Sequence, residues 1–269
     1  MTLPPITQKQ HDILTLLYRY RFLSRIQIQY LMNHKDYRRI NAWLKDLREK
    51  RYIAWQYSTD FIEKTKPAIY YLDLNGIRVL KQQDAVGYPI AELRKRYKDA
   101  GRSPGFIARS LMLADCCLDL HARSDERVAY RFQTQADYAD PNSTYHFLAL
   151  DDAIHPHLCF TKREQSKPNG TKTYLLEIFD ATLPRYRIRN RLKQYVQYLQ
   201  SGVWEQQTED RTPPSALFVC PTVADLIYAK RRTRTLLENS FDETEADLRF
   251  TTASELRAHG LAGEIWEEA

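Results

Sequence analysis

The run "LLEIFDAT", residues 175–182, places Glu177 and Asp180 at the end of an apolar stretch. A carboxylate on a strand is what a metal-dependent nuclease needs. Oxygen ligands hold Mg²⁺, and a nearby lysine orients the attacking water and helps to deprotonate it. That lysine is expected two residues after the glutamate, where Phe179 stands. An aromatic ring neither stabilises hydroxide nor takes up a proton, so the constellation is incomplete. A helix from Pro184 to Gln200 follows and sets Arg187, Arg191, Gln194 and Tyr198 along one ridge, at spacings of four, three and four. A cation on this ridge could replace the lysine by position, but an arginine stays charged and is a poor proton acceptor. Lys193 points away. The ridge also reads as a phosphate-contact surface, or simply as a polar helix face with i, i+4 support. Asp180 reads as a strand-end or helix-entry residue rather than a third ligand.

Other chemistries find less support. His155 and His157 flank Pro156 without a cysteine or third histidine at ligand spacing. His146, on an expected strand, reads as a satisfied histidine. No GxSxG elbow supports hydrolase chemistry. With only 8 Gly in the chain there is no glycine-rich phosphate loop. Cys116, Cys117, Cys159 and Cys220 show no CxxC spacing and read as buried reduced thiols. Trp43, Trp55 and Trp204 read as core or interface anchors.

Charge points to a polyanion. The net charge is +6 with a pI near 9.0, and residues 1–100 hold 19 Lys and Arg against 10 Asp and Glu. In that stretch Thr7 with Gln10 can cap a helix whose core face is Ile13, Leu14, Leu16 and Leu17. Ser24 opens a second helix through Ile28 and Leu31. A third, "DYRRINAWLKDLREKRYI", repeats Tyr37, Ile40, Leu44 and Leu47 at helical spacing. Two β-rich runs, "YIAWQYS" and "AIYYLDL", complete a winged helix-turn-helix. Opposite the apolar stripe of the third helix lie Arg38, Arg39, Asn41, Ala42 and Lys45, a face suited to the major groove of duplex DNA. Lys64 and Lys66 fall at the expected wing tip, placed for phosphate or minor groove, although an ordinary polar turn explains them equally well.

After the charged stretch 91–103, read as a linker, the order is helix, three or four strands, helix, strand, helix. This implies a mixed α/β core of the restriction-endonuclease-like kind. The strands are expected at "RVAYRFQT", near "YHFLALDDA" and "HLCFT", and at "KTYLLEIFD" and "SALFVC". The expected division is a winged helix over 1–90 and a nuclease-like domain over 104–269. A short final helix opens at Thr252 with Glu255 three residues on.

The segments "LALDDA", "YLLEIFDAT", "RLKQYVQYLQSGVW" and "PPSALFVCPT" resemble the second domain of the replication-relaxation family of plasmids and mobile elements. In that family a winged helix precedes a PD-(D/E)XK-like domain. By this resemblance Asp152 matches the aspartate of the PD motif, with Asp151 where the proline should be, and Glu177 matches the later acidic position. Gln194 and Tyr198 resemble the QxxxY element of RecB-like nucleases. The resemblance implies a DNA-handling role in replication, relaxation or mobilisation. Residues and resemblance together lead us to expect a protein that holds duplex DNA rather than cuts it, with no cofactor. Its nuclease-like domain would be a degenerate scaffold or a second DNA surface. The rival is a Mg²⁺-dependent endonuclease using Asp152 and Glu177 as catalytic and metal-binding residues, with Gln194 and Tyr198 auxiliary; a protein-binding adaptor is the third reading. A relaxase, a replication protein or another mobile-element protein is an expected partner, and a homodimer on paired half-sites stays open. No signal-peptide pattern or long apolar run is seen, so the expected location is the cytosol.

Overall fold

Helices in the first part of the chain begin where a side chain can satisfy the free amides of the first turn. In the computed structural model, which describes residues 3–57, 67–82, 88–150, 153–167, 170–209, 212–239 and 246–269, α1 (Gln8–Tyr20) is opened by a reciprocal Thr7/Gln10 capping box. β1 (Leu23–Ser24) leads into α2 (Arg25–Leu31), where Ser24 and Gln27 form a second box. α3 (Tyr37–Glu49) is capped by Asp36, whose side chain accepts from the amides of Arg38 and Arg39. β2 (Ile53–Gln56) and β3 (Ile69–Leu72) then pair antiparallel, with β1 on the other edge of β3. The apolar stripes meet in one core of Ile13, Leu14, Leu17, Ile28, Ile40, Leu44 and Leu47. Tyr37, expected on that stripe, is half exposed, because the first turn of α3 extends beyond the core.

The stretch expected as a linker is structured and packed. α4 (Leu74–Lys81) and α5 (Ile90–Arg96) are followed by a 3-10 turn at Asp99–Gly101. Arg96 is buried and donates to the Tyr18 carbonyl at 2.7 Å. Asp99 is fully buried, paired with Arg21 and lying 3.7 Å from Arg102. A charge run reads as solvated from sequence, but here the charges find partners inside the fold. Gly76 of α4 passes so close to the Tyr52 carbonyl that a Cβ would collide with it.

The chain divides into two compact units, Met1–Leu118 with Ala139–Asn142 and Asp119–Tyr138 with Ser143–Ala269, and the division falls within α6 (Pro104–Ala122). The second unit is built on β4 (Val128–Thr134), α7 (Gln135–Tyr138), β5 (Leu158–Glu164), β6 (Thr171–Ile178), α8 (Arg185–Gln200), α9 (Val203–Gln207) and β7 (Ser215–Cys220). It continues with α10 (Val223–Glu238), β8 (Leu248–Thr252), α11 (Ala253–His259) and β9 (Glu267–Glu268). The sheet order is β4-β5-β6-β7-β8-β9. β4, β5 and β6 run antiparallel, β6, β7 and β8 parallel, and β9 returns antiparallel to β8. The fold is thus mixed α/β with a mixed sheet.

The two parallel crossovers step the same way along the sheet, and crossovers of one hand then leave their helices on one face. Accordingly α8 and α10 pack together and bury Ile188, Leu192, Leu226 and Ala229 in one core with Phe218 and Phe250. The strand expected near "YHFLALDDA" is not formed over 145–150, where a 3-10 turn at His146–Ala149 stands instead. Tyr145, Phe147, Leu148 and Ala149 all pack on the same core. Successive inward-facing residues suit a tight helical turn and conflict with strand alternation. The strand β8, parallel to β7, was not foreseen. Gly202 takes φ +69° between α8 and α9, a backbone that glycine alone adopts without strain. α11 starts at Thr252, whose hydroxyl accepts from the Glu255 amide at 3.2 Å. All four cysteines are buried.

Candidate functional site

On α3, the buried side holds Ile40, Leu44 and Leu47, while Arg38, Arg39, Asn41, Ala42 and Lys45 are all exposed. Asp36 accepts from the amide of Arg38 at 2.8 Å, which fixes the helix start and so the direction of these side chains. Asp46 is withdrawn from this face: it accepts from Gln10 at 2.5 Å and from Lys50 at 2.8 Å. Those hydrogen bonds, that of Lys50 foremost, hold its carboxyl below the ordinary aspartate range despite some desolvation. Lys45 retains only a loose pairing with Glu49, at 3.8 Å.

Aromatic rings extend the surface in a way the periodicity did not reveal. Arg25 and Arg38 lie 5.8 and 5.9 Å from the centroid of Tyr37. Arg48 sits 3.7 Å over Trp55, which stacks on Tyr57 at 5.6 Å. Trp55 is exposed rather than a core anchor, although it shares a strand face with the buried Ile53. Trp204, by contrast, is buried and stacks on Tyr145 at 5.8 Å. Lys64 and Lys66 lie outside the described residues.

In the second unit, Glu177 sits on β6, buried, with both carboxylate oxygens facing polar groups. Arg191 donates to Oε2 at 2.9 Å and Tyr195 donates to the same atom at 3.1 Å. His157 Nδ1 is 3.8 Å from Oε1. The Ile178 amide donates to that Nδ1 at 3.0 Å, so the nitrogen presents its lone pair and the guanidinium is the fixed counter-charge. Burial pushes the Glu177 carboxyl up, but the Arg191 guanidinium and the hydrogen bonds from Arg191 and Tyr195 hold it below the ordinary glutamate range. The Tyr195 hydroxyl is pushed well up by burial and by the Glu177 charge. Arg191 also donates to the carbonyl of His155 at 3.1 Å and to Gln194 Oε1 at 3.1 Å. His155 holds φ +45°, which turns its carbonyl toward Arg191 and Gln135.

The four residues expected on one ridge therefore part company. Arg191 turns in to Glu177, and Gln194 holds Arg191. Arg187 stays exposed, donating to Tyr186 at 3.2 Å. Tyr198 is buried, and its hydroxyl has no partner among the described residues. With Gln194, Phe147, Leu150 and Ile154 it lines a cavity of about 560 Å³. Tyr195 is the site member that sequence reading passed over, and His157 was weighed there only as a metal ligand; the i, i+4 step from Arg191 to Tyr195 was the available signal.

Phe179 is a core residue stacked 5.7 Å from Phe218. Asp180 accepts from the Thr182 amide and hydroxyl, both at 2.8 Å, in a turn that ends the strand, as expected. Asp152 lies outside the described residues. At Glu177 the arrangement does not fit Mg²⁺, because the Arg191 guanidinium already stands where a cation would meet Oε2. No group of three His, Cys, Asp or Glu with metal-binding placement occurs among the described residues.

The Replication-relaxation family model matches residues 14–212, well over half of the chain. The chain belongs to the Replication-relaxation family. The matched span takes in the exposed face of α3 and the Glu177–Arg191–Tyr195 cluster, and it ends shortly before β7. Membership supports a role in the replication or relaxation of plasmids or mobile elements. No curated protein and no solved structure matches the chain. Among the described residues, no helix is long and apolar enough to cross a membrane.

Proposed function

We propose that this family member is a DNA-binding accessory or regulatory protein of plasmid or mobile-element replication or mobilisation. Its first unit acts as a winged helix-turn-helix, with α3 as the recognition helix entering the major groove of duplex DNA. The second unit is a nuclease-like domain without the hydrolytic apparatus, serving as scaffold or further DNA surface. The supporting observation is the α3 face, on which Arg38, Arg39, Asn41, Ala42 and Lys45 are exposed together while Asp46 is engaged by Gln10 and Lys50. Arginine can bond guanine bidentately, asparagine can bond adenine in the same way, and alanine permits close approach.

Duplex binding measured across a salt series tests this reading. Binding should weaken steeply with salt, and replacing Arg38 and Arg39 by Ala should flatten the slope by about 2 if each meets one phosphate, or relax sequence preference if each meets a base. Affinity that ignores both salt and these substitutions would refute it. Supercoiled plasmid incubated with the protein and Mg²⁺ should stay intact, whereas nicking lost on Glu177→Ala would favour the endonuclease instead.

A further inference from the structure

Positive charge in the later part of the chain is concentrated on two helices. Residues 185–200 and 223–238 hold 9 Lys and Arg against 2 Asp and Glu, while the rest of the chain after residue 100 holds 12 against 22. These are α8 and α10, which pack side by side. On one flank of α8 Arg191 turns toward His155 and Glu177. The other flank turns toward α10: Arg185 Nε is 3.7 Å from Asp225, and its guanidinium lies 5.1 Å from the centroid of Tyr228. From α10, Arg232 reaches the same ring at 5.5 Å.

Two guanidinium groups thus converge on one tyrosine, with Asp225 as the single carboxylate paired there among the described residues. Asp225 also accepts from the Thr222 hydroxyl at 2.7 Å. Arg189 and Lys193 continue the Arg185 flank at spacings of four. Both are exposed, and neither has an ion-pair or hydrogen-bond partner among the described residues. Of the other cations on α10, Lys230 does have a carboxylate, Glu267 at 2.9 Å. Like charges held together without matching carboxylates leave an unfilled demand for an anion.

We propose that the ridge of Arg185, Arg189, Lys193 and Arg232 binds the sugar-phosphate backbone of duplex DNA, as a contact surface of the second unit separate from the Glu177 cluster. Four-residue steps along α8 space the cations roughly 6 Å apart, and duplex DNA carries one phosphate charge per ~1.7 Å of axis. Planar guanidinium groups suit bidentate bonding to phosphate. Backbone contacts of this kind set register and add affinity without specifying sequence. The choice of DNA as the polyanion rests on the proposed function; the ridge itself does not.

The test uses the full chain in four forms: unsubstituted, Arg38→Ala with Arg39→Ala, the triple Arg185→Ala, Arg189→Ala and Arg232→Ala, and all five together. Duplex affinity is read by fluorescence anisotropy across salt. The triple should lower the salt slope by roughly 2 to 3 and weaken binding about tenfold or more at low salt, for any duplex sequence. An unchanged slope overturns the ridge. Loss from the triple alone removes the α3 reading and keeps the ridge; loss from the α3 pair alone does the reverse. As a check free of substitution, Lys193 in the unsubstituted chain should be shielded from acylation by saturating duplex. Full reactivity, or shielding by single strands only, overturns the proposal.

Discussion

Replacing Glu177 by Gln separates a structural carboxylate from a metal ligand, because the two roles predict stability changes of opposite sign. In the structure the carboxylate is buried and accepts from Arg191 at 2.9 Å and from Tyr195 at 3.1 Å. An amide keeps the shape, and its oxygen at the Oε2 position can accept both bonds, but it leaves the guanidinium without its counter-charge. Breaking a buried ion pair costs about 3–5 kcal/mol. The Arg191 side chain is 20% exposed and keeps its bonds to His155 and Gln194, so the low end applies and we expect about 2–4 kcal/mol. For a domain of this size that corresponds to a fall in Tm of about 5–15 °C, read by near-ultraviolet circular dichroism. Arg191→Met should be similarly destabilising, and the double substitution less so than the sum of the two. The contribution also depends on pH. The folded carboxyl titrates below its unfolded value of about 4.3, so the stabilisation is complete above that pH and disappears as pH falls through the lower, folded value. Glu177→Gln should therefore flatten the acid limb of the stability profile. A Glu177→Gln protein as stable as the original or more so, together with a Mg²⁺-dependent rise in Tm that this substitution abolishes, would refute the reasoning.

Two further substitutions probe the core around these features. Asp99→Ala should destabilise the first unit by about 3–5 kcal/mol, because it strips the buried partner from Arg21 and Arg102; urea unfolding within 1 kcal/mol of the unsubstituted protein would contradict this. Phe179→Lys restores the residue type of the nuclease motif, yet it removes a ring stacked on Phe218 and buries an ammonium, so it should cost about 3–5 kcal/mol and yield no plasmid nicking. Nicking by that variant with Mg²⁺ would show that a single side chain separates this site from hydrolysis.

Local signals carried much of the fold. Thr7 and Ser24 capped the helices they were expected to open, since a hydroxyl three residues before a Gln has its partner within its own turn. The apolar steps through Ile40, Leu44 and Leu47 set the core side of α3, and so the exposure of Arg38, Arg39 and Lys45 on the other side. The strand runs at 128–134, 171–178 and 215–220 were legible from dense β-branched and aromatic residues. The 3-10 turn at His146–Ala149 was not, because its aromatic residues take their positions from Trp204, far away in sequence.

What the sequence alone determined was the placing of α1, α2, α3, β6, α8 and β7, the basic character of the first hundred residues, and the absence of a lysine two residues after Glu177. Spacing and composition suffice for these, since they depend on neighbours within a turn or a strand. The tertiary structure decided which charges are spent and which remain available. Arg191 and Gln194 share a helix with Arg189 and Lys193, and no local rule tells them apart. Arg191 turns toward Glu177 and His155, with Gln194 accepting from it, while Arg189 and Lys193 are left on the surface without such partners among the described residues. Only the packing of α8 against the sheet and α10 fixes that rotation, because burying the Ile188, Leu192 and Leu199 stripe leaves the helix one orientation.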